Sequence, residues 1–347
     1  MTEQEKSFDY WDFVAEETRR ANAPLYTQFC QGVGKDEDLK ALANTVRAGQ
    51  PPALVLFAAV HFLLLRGDRH PLRNFYPNLS DGRHTPPDDS FPVFRDFVQT
   101  HRAELEPLVA SRITNTNEVA RSALLHAGFR ALALEAGEPL HLVEIGPSAG
   151  LNLIWDRYGV RYVRGRESFA AGDTSAELVL EAELRGDRVP PLGPAPRVAS
   201  RVGLERNPVD LSRADERDWL KALVWPDQAA RFARLEKALE IYAPARPEIR
   251  AGDALSLLPE TLRTVPEHET ACVYHSFVTY QFSEEMRAAL DNLLIAVSLR
   301  RPIWRLSLEG TLSGETPLLL YLYRDGVKEK NTLAFCHPHG VWIDWRN

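Results

Sequence analysis

The stretch HLVEIGPSAGLNLIWDRYG, residues 141–159, carries the residue types and spacing best suited to chemistry. An apolar run closes on Glu144, glycines follow at 146 and 150, and the chain restarts as an amphipathic segment. A buried strand feeding a glycine turn and then a helix aims backbone N–H groups at one spot. The helix dipole makes that spot attractive to negative groups or a nucleoside tail. Gly146 and Gly150 let a ligand approach the backbone, and Glu144 ends the strand with an acceptor. The same turn also reads as a tight strand-to-helix corner with no ligand. A phosphate-binding Walker loop needs Lys-Ser or Lys-Thr after the glycines, where this chain has Leu151 and Asn152. A dinucleotide fingerprint needs G-x-G-x-x-G, and Ser148 stands where its middle glycine belongs.

The companions of this turn narrow its chemistry. A nucleoside cofactor on such a sheet needs an acidic residue at the end of the second strand, to hold ribose hydroxyls. RVGLERNPVD supplies Glu205, 55 residues after Gly150, where about 20 is usual. An insertion between the two reconciles the spacing. Glu167 is the rival at near-normal spacing, in a polar stretch without strand character. In RAGDALSLLP, Asp253 can meet an adenine edge, cap a helix, or do both. VYHSFVTYQF brings His275, Ser276 and Tyr280 to a strand end, where ligand crevices form in open α/β sheets. His275 reads either as a general base or as a core histidine bonded to a carbonyl. GPSAG is not a G-x-S-x-G nucleophile elbow. Cys336, His337 and His339 invite a metal, but Pro338-His339-Gly340 also reads as a turn, and no metal site is assigned. Asn117, Glu118 and Arg121 open a helix before the sheet region and read as substrate-lining or as capping residues. Trp225, Asp227 and Arg231 are open to the same two readings.

The elements that must position these groups follow from periodicity. Residues 1–135 show helical spacing, as in WDFVAEETRRA and LKALANTVRAG, broken by a Pro/Gly/Asp-rich loop at 74–92. ALVLFAAVHFLLL, residues 53–65, falls short of the roughly 20 residues of a membrane span. It reads as a buried helix with His61 a satisfied core histidine. From residue 139 apolar runs at 140–145, 198–205, 248–253, 271–277 and 302–308 alternate with helical stretches at 149–157, 227–242 and 283–299. That rhythm predicts a parallel sheet covered on both faces, from 136 to 347. TPLLLYLYRDG, NTLAFCHPHG and VWIDW then read as antiparallel hairpin strands at the sheet edge. Residues 159–197 read as an inserted β-hairpin and linker.

Composition excludes some classes. The 347 residues are 44% hydrophobic and 26% charged, with a net charge of −7, so no nucleic-acid surface is expected. Arg157, Arg161, Arg164 and Arg166 form a local basic cluster, read as a solvated loop or as attraction for an acidic substrate. Three distant cysteines set up no disulfide framework and suit a reducing, cytoplasmic setting. The polar MTEQEKSFDYWDF start does not read as a secretory leader. Oligomeric state is not set by the sequence.

E-x-G-P-x-x-G, the acidic end of strand two, G-D-A after strand three and a terminal antiparallel hairpin resemble class I S-adenosylmethionine-dependent methyltransferases. NEVARSALL, EIGPSAGLNLIWDRYG, RVGLERNPVD, LVWPDQAARFARLEKA, GDALSLLP, YHSFVTYQF and CHPHGVWIDW resemble, over nearly the whole chain, a bacterial family, domain of unknown function 2332. The resemblance implies a Rossmann-like, methyltransferase-type three-layer α/β sandwich behind a helical N-terminal domain. It implies S-adenosylmethionine held by Glu144, Gly146, Ser148 and Gly150 around its methionine tail, Glu205 at the ribose and Asp253 at the adenine. Asn152 and Ala254 complete that set. Asn117, Glu118, Arg121 and Ser276 would meet a small-molecule acceptor, with His275 and Tyr280 as catalytic candidates. A non-catalytic binding protein on this scaffold and a nicotinamide-dependent oxidoreductase are the alternatives. No nucleic acid or membrane partner is expected.

Overall fold

A computed structural model describes residues 9–80, 83–311 and 314–347. Along the chain run α1 (Tyr10–Arg20), α2 (Pro24–Val33), α3 (Glu37–Ala43), α4 (Pro52–Leu65), α5 (Ser90–Thr100), α6 (Arg102–Ser111) and α7 (Arg121–Ala136). Then come β1 (Leu140–Ile145), β2 (Gly159–Arg164), β3 (Glu167–Gly172), β4 (Val179–Arg185), β5 (Val198–Glu205), α8 (Ala214–Ala222) and α9 (Ala229–Ala245). The chain continues with β6 (Glu248–Ala251), α10 (Ala254–Arg263), β7 (Thr270–Ser276), α11 (Glu284–Ser298) and β8 (Ile303–Leu308). It closes on β9 (Pro317–Arg324), β10 (Val327–Cys336) and β11 (Trp342–Trp345). Two compact units result, residues up to 116 with 210–236, and residues 117–209 with 237–347. The 135/136 boundary read from periodicity falls at the end of α7, inside the second unit.

The first unit is helical. Asp9 and Asp36 cap α1 and α3 by accepting amides of their first turns, and Pro51-Pro52 opens α4. The apolar α4 is buried along most of its length, against a core that includes Phe29, Phe57, Phe94 and Trp219. His61 within it is satisfied. Its Nδ1 meets the Ala222 carbonyl at 3.0 Å and its Nε2 the Asn78 amide at 3.0 Å. Burial pushes its imidazole down to about 4. Among the described residues no helix is long and apolar enough to cross a membrane.

The second unit is α/β, built on one mixed sheet of eleven strands in the order β3-β2-β4-β11-β10-β9-β8-β7-β1-β5-β6. The run β8-β7-β1-β5-β6 is parallel throughout. Strand order reverses between β1 and β7, the place where open α/β sheets leave a crevice outside their carboxyl ends. Helices cover both faces. Val143, Ile145, Ala271 and Val273 point to the side where Leu258, Leu262, Leu290 and Leu294 of α10 and α11 complete a core. Each such buried leucine contributes about 1.5–3 kcal/mol. Glu144 and Tyr274, one residue out of phase, point to the opposite side, where the Phe129 ring of α7 meets Tyr274 at 5.0 Å.

Two expectations need correction. The terminal antiparallel strands are not at the sheet edge, because the insertion continues the sheet beyond them. β4 pairs parallel with β11, β2 with β4, and β3 closes the end as the antiparallel partner of β2. An uncovered β11 would present open backbone groups, and β4 satisfies them. The insertion is therefore a hairpin plus a third strand. The stretch after the glycine turn is also not an α-helix but a 3-10 segment, Leu151–Arg157, kinked at Ile154. Side chains take its carbonyls. Tyr158 donates to Leu151, Tyr274 to Asn152 and Arg201 to Leu153, in place of the amides that an α-ladder would supply.

Candidate functional site

The turn at the end of β1 is wound through three left-handed residues, Gly146 (φ 67°), Ser148 (φ 57°) and Gly150 (φ 81°). At Gly146 a Cβ would stand 2.6 Å from Val278, and at Gly150 2.9 Å from Ile249 with Tyr242 beyond it. Both glycines are thus required by the protein's own packing as well as by φ. Ser148 adopts a conformation that costs an L-residue on the order of 1–3 kcal/mol.

The turn does not present the amides that its sequence suggests. Gly146 N–H donates to the Leu204 carbonyl, Ser148 N–H to Glu205 Oε2 at 2.9 Å, Gly150 N–H to the Pro147 carbonyl, and Leu151 N–H to Asn117 Oδ1 at 2.9 Å. The second oxygen of Glu205 accepts Asn207 N–H at 2.9 Å. Glu205 therefore fixes the turn to the end of β5. It remains 9% exposed, and a carboxylate with two bonds made has about two lone-pair sites left. Glu167, its rival, is on β3 and paired with Arg164, while Arg161 pairs with Glu181. The basic cluster is in these places a salt-bridged strand surface.

Glu144 is buried behind the turn, where the Tyr274 hydroxyl lies 3.0 Å from its Oε2. Burial pushes its carboxyl up to about 8. The Tyr274 hydrogen bond opposes this, the nearby Glu205 carboxylate adds to it and Arg121 opposes it. Asn152 is buried, its Oδ1 accepting the Ser122 hydroxyl at 2.8 Å. Asp253 is the N-cap of α10, accepting Ser256 N–H at 3.0 Å, and its other oxygen meets Arg206 at 3.1 Å. Ala254 is the first residue of that helix.

At the end of β7 the structure adds a group that the sequence reading missed. His275 is buried and its Nδ1 lies 2.6 Å from Oε1 of Glu309, the residue after β8. Glu309 also accepts the amides of Val278, Thr279 and Tyr280, at 3.0–3.2 Å. Burial raises the Glu309 carboxyl. The hydrogen bond and charge of His275 and the amides of Val278 and Thr279 outweigh burial and hold it below the usual range. Glu309 thus occupies the Nδ1 side of the ring, while Nε2 on the other side is buried without a partner. The signal was available. Glu309 directly follows the predicted strand 302–308, much as Glu205 closes the predicted strand 198–205. Tyr280 is 58% exposed, with its ring 6.3 Å from Phe277. Ser276 is buried and its carbonyl lies 3.5 Å from Arg121.

The start of α7 joins this end of the sheet. Arg121 stacks on Phe277 at 4.2 Å and donates to the Pro338 carbonyl at 2.8 Å. Glu118 is buried, accepts Ala120 N–H and lies 3.4 Å from His339. Asn117 is spent on Leu151. Among the described residues no group of three or more His, Cys, Asp or Glu is arranged to hold a metal ion. Trp225, Asp227 and Arg231 belong to the first unit.

Residues 10–345 match the bacterial family described as uncharacterized protein conserved in bacteria, domain of unknown function 2332, and the chain belongs to that family. No curated protein and no solved structure matches it.

Proposed function

We propose that this member of the 2332 family is an S-adenosylmethionine-dependent methyltransferase acting on a small molecule, on a Rossmann-like sheet. The observation that carries the reading is Glu205, which bonds across the glycine turn from the end of the second parallel strand and, with two amides accepted, has lone-pair sites left. Its remaining lone pairs suit the paired hydroxyls of a ribose. The occupied amides sharpen the choice of ligand. A pyrophosphate needs free N–H groups, and those of Gly146, Ser148, Gly150 and Leu151 are spent on Leu204, Glu205, Pro147 and Asn117, which counts against a nicotinamide dinucleotide. A sulfonium cation needs carbonyl and carboxylate oxygens instead.

S-adenosylmethionine bound here would supply an electrophilic methyl group. Glu205 would hold its ribose, and Asp253 with Ala254 would border the adenine. His275 Nε2 would take a proton from a hydroxyl or ammonium acceptor while Glu309 keeps the opposite nitrogen protonated. Holding acceptor and donor in line would supply much of the rate.

Calorimetry with S-adenosylhomocysteine tests this. Binding to the wild-type chain, weakened about tenfold to a hundredfold in Glu205→Gln, is the expected result. Absence of heat and of any melting shift with either adenosyl compound overturns it. A non-catalytic protein on the same scaffold is the second reading, favoured by the approach of Val278, Ile249 and Tyr242 to the turn. Cofactor binding without turnover over a broad acceptor panel would select it.

A further inference from the structure

The amino ends of the parallel strands hold three polar side chains in a row, at the opposite end of β1 from the glycine turn. His141 is the second residue of β1, and its Nδ1 lies 2.7 Å from the Oγ of Ser200 on β5. Its Nε2 is hydrogen-bonded to Oε2 of Glu269, the residue before β7. Since β1 lies between β5 and β7, a hydroxyl, an imidazole and a carboxylate meet across three neighbouring positions of the sheet. That is the order nucleophile, base, orienting group.

The register of the strands makes the row. Leu140 is paired with Val198 but His141 with Ser200, so Ala199 is an extra residue in β5. In unbroken register His141 would pair with Ala199, and Ser200 would point to the opposite face. The bulge therefore puts the serine on the face of the histidine. On the other side His141 is paired with Ala271, and Glu269, two residues earlier, shares that face. The backbone of Glu269 is fixed. Its N–H donates to the Pro266 carbonyl at 3.1 Å, and its carbonyl accepts from Arg301. The same guanidinium donates to the carbonyls of Val265 at 3.0 Å and Pro266 at 2.8 Å. Exposure is graded as nucleophilic chemistry requires. Ser200 is exposed, while His141 is only 7% exposed. β6 joins β5 from Val202 onward, which leaves Ser200 outside that ladder and open to an approaching ester.

We propose that Ser200 is a nucleophile activated by His141, with Glu269 as the positioning residue, and that it takes acyl groups from activated carboxylic esters. In the neutral ring, with its one proton on Nε2 toward the Glu269 carboxylate, Nδ1 accepts the Ser200 Oγ–H. As Oγ bonds to the ester carbonyl carbon, its proton passes to Nδ1. The bond from that carbon to the alcohol oxygen then breaks. The imidazolium returns the proton to the leaving oxygen, giving an acyl-serine and an alcohol. Water deprotonated in the same way releases the acyl group as a carboxylic acid and restores the hydroxyl. Nδ1 faces the serine and Nε2 the carboxylate, the reverse of the serine-protease arrangement, but the path of the proton is the same. The site stands independently of the methyltransferase reading, since it uses none of the same residues.

Incubating the full chain with p-nitrophenyl acetate or diisopropyl fluorophosphate, followed by peptide mass spectrometry, tests the site. The expected result is an adduct on the peptide that carries Ser200, lost in Ser200→Ala. Ser175 and Ser212, exposed serines whose hydroxyls are bonded to Asp173 and Asp210, stay unlabelled under the same conditions. His141→Gln slows labelling by about a hundredfold or more. Glu269→Gln lowers kcat for p-nitrophenyl acetate by about tenfold or more at unchanged KM. The comparison with Ser175 and Ser212 carries the test if the histidine variant fails to fold. No adduct at Ser200, labelling of Ser175 or Ser212 as fast as that of Ser200, or an equal rate in a folded His141→Gln overturns the proposal.

Discussion

Beyond the end of β1, Ser148 and Asn207 donate their amides to Glu205, which comes from the neighbouring strand β5. Beyond β7, Val278, Thr279 and Tyr280 donate theirs to Glu309, which follows the neighbouring strand β8. Each turn also bends through a non-glycine residue in the left-handed region, Ser148 at φ 57° and Phe277 at φ 56°. The same device therefore stands on both sides of the point where strand order reverses. What lies behind it differs. Behind the first turn is Glu144, bonded to Tyr274 and raised by burial. Behind the second is His275, held by Glu309 itself. One side stores a proton on a carboxyl, and the other orients an imidazole. An adenosyl sulfonium on the first side and an acceptor group on the second would use both.

The largest expected effect separates the two carboxylates. Glu309→Ala leaves three amides and the His275 Nδ1 proton without an acceptor in a nearly buried place. Urea unfolding should show a loss of about 3–5 kcal/mol. Glu205→Ala strands two amides and should cost about 1.5–3 kcal/mol. Equal losses would mean that the second turn does not depend on its carboxylate more than the first.

The next effect is one of sign. The folded-state pKa of Glu144, about 8, lies above the unfolded value near 4.3. Below the unfolded value the carboxyl is protonated in both states. As pH rises toward 8 the unfolded chain releases the proton first, so stability falls, by an amount on the order of a few kcal/mol. Glu309 acts oppositely. Held low in the fold, it contributes stability above the unfolded value and loses it as pH falls through the folded value. Glu144→Gln should flatten the decline between about pH 4.5 and 8, while Glu309→Gln should flatten only the acid limb. Buried His61 and His126, each pushed down to about 4, also lose stability as pH falls, but equally in wild type and variant. The difference curve isolates the carboxyls. A flat difference for Glu144→Gln would show that it ionises normally in the fold.

Much of this end of the sheet was legible in the chain. The runs LHLVEI and VASRVGLE are β1 and β5 residue for residue: β1 is buried throughout, as a central parallel strand with a near-continuous apolar run, whereas β5 is buried only over its last three residues. His61 was legible as a satisfied core histidine for the same reason, an apolar helix on all sides. The 3-10 segment was not, since its cause is three side-chain donors from Tyr158, Arg201 and Tyr274, of which the last two are distant in sequence. Nor was the position of β4 beside β11, since an alternating strand declares a face and not a neighbour. The occupied amides lay beyond reach too. Residue types at 146–150 specify a bend, whereas Asn117 and Glu205 reach it only through the tertiary fold.

The smallest effect compares the two strained residues. Ser148→Gly removes a Cβ from a left-handed backbone, a relief of about 1–2 kcal/mol, and offsets it by about 0.5–1 kcal/mol of extra unfolded-state freedom. The net expectation is a gain within about 1 kcal/mol. Phe277→Gly relieves the same strain but deletes the ring under the Arg121 guanidinium, a contact of about 0.5–2 kcal/mol, together with the apolar surface the ring buries. Its net expectation is a loss. Urea unfolding of both variants at one pH reads the signs directly. If both lose stability alike, the Ser148 side chain has a packing role as large as that of Phe277, and the two turns differ less than their residues suggest.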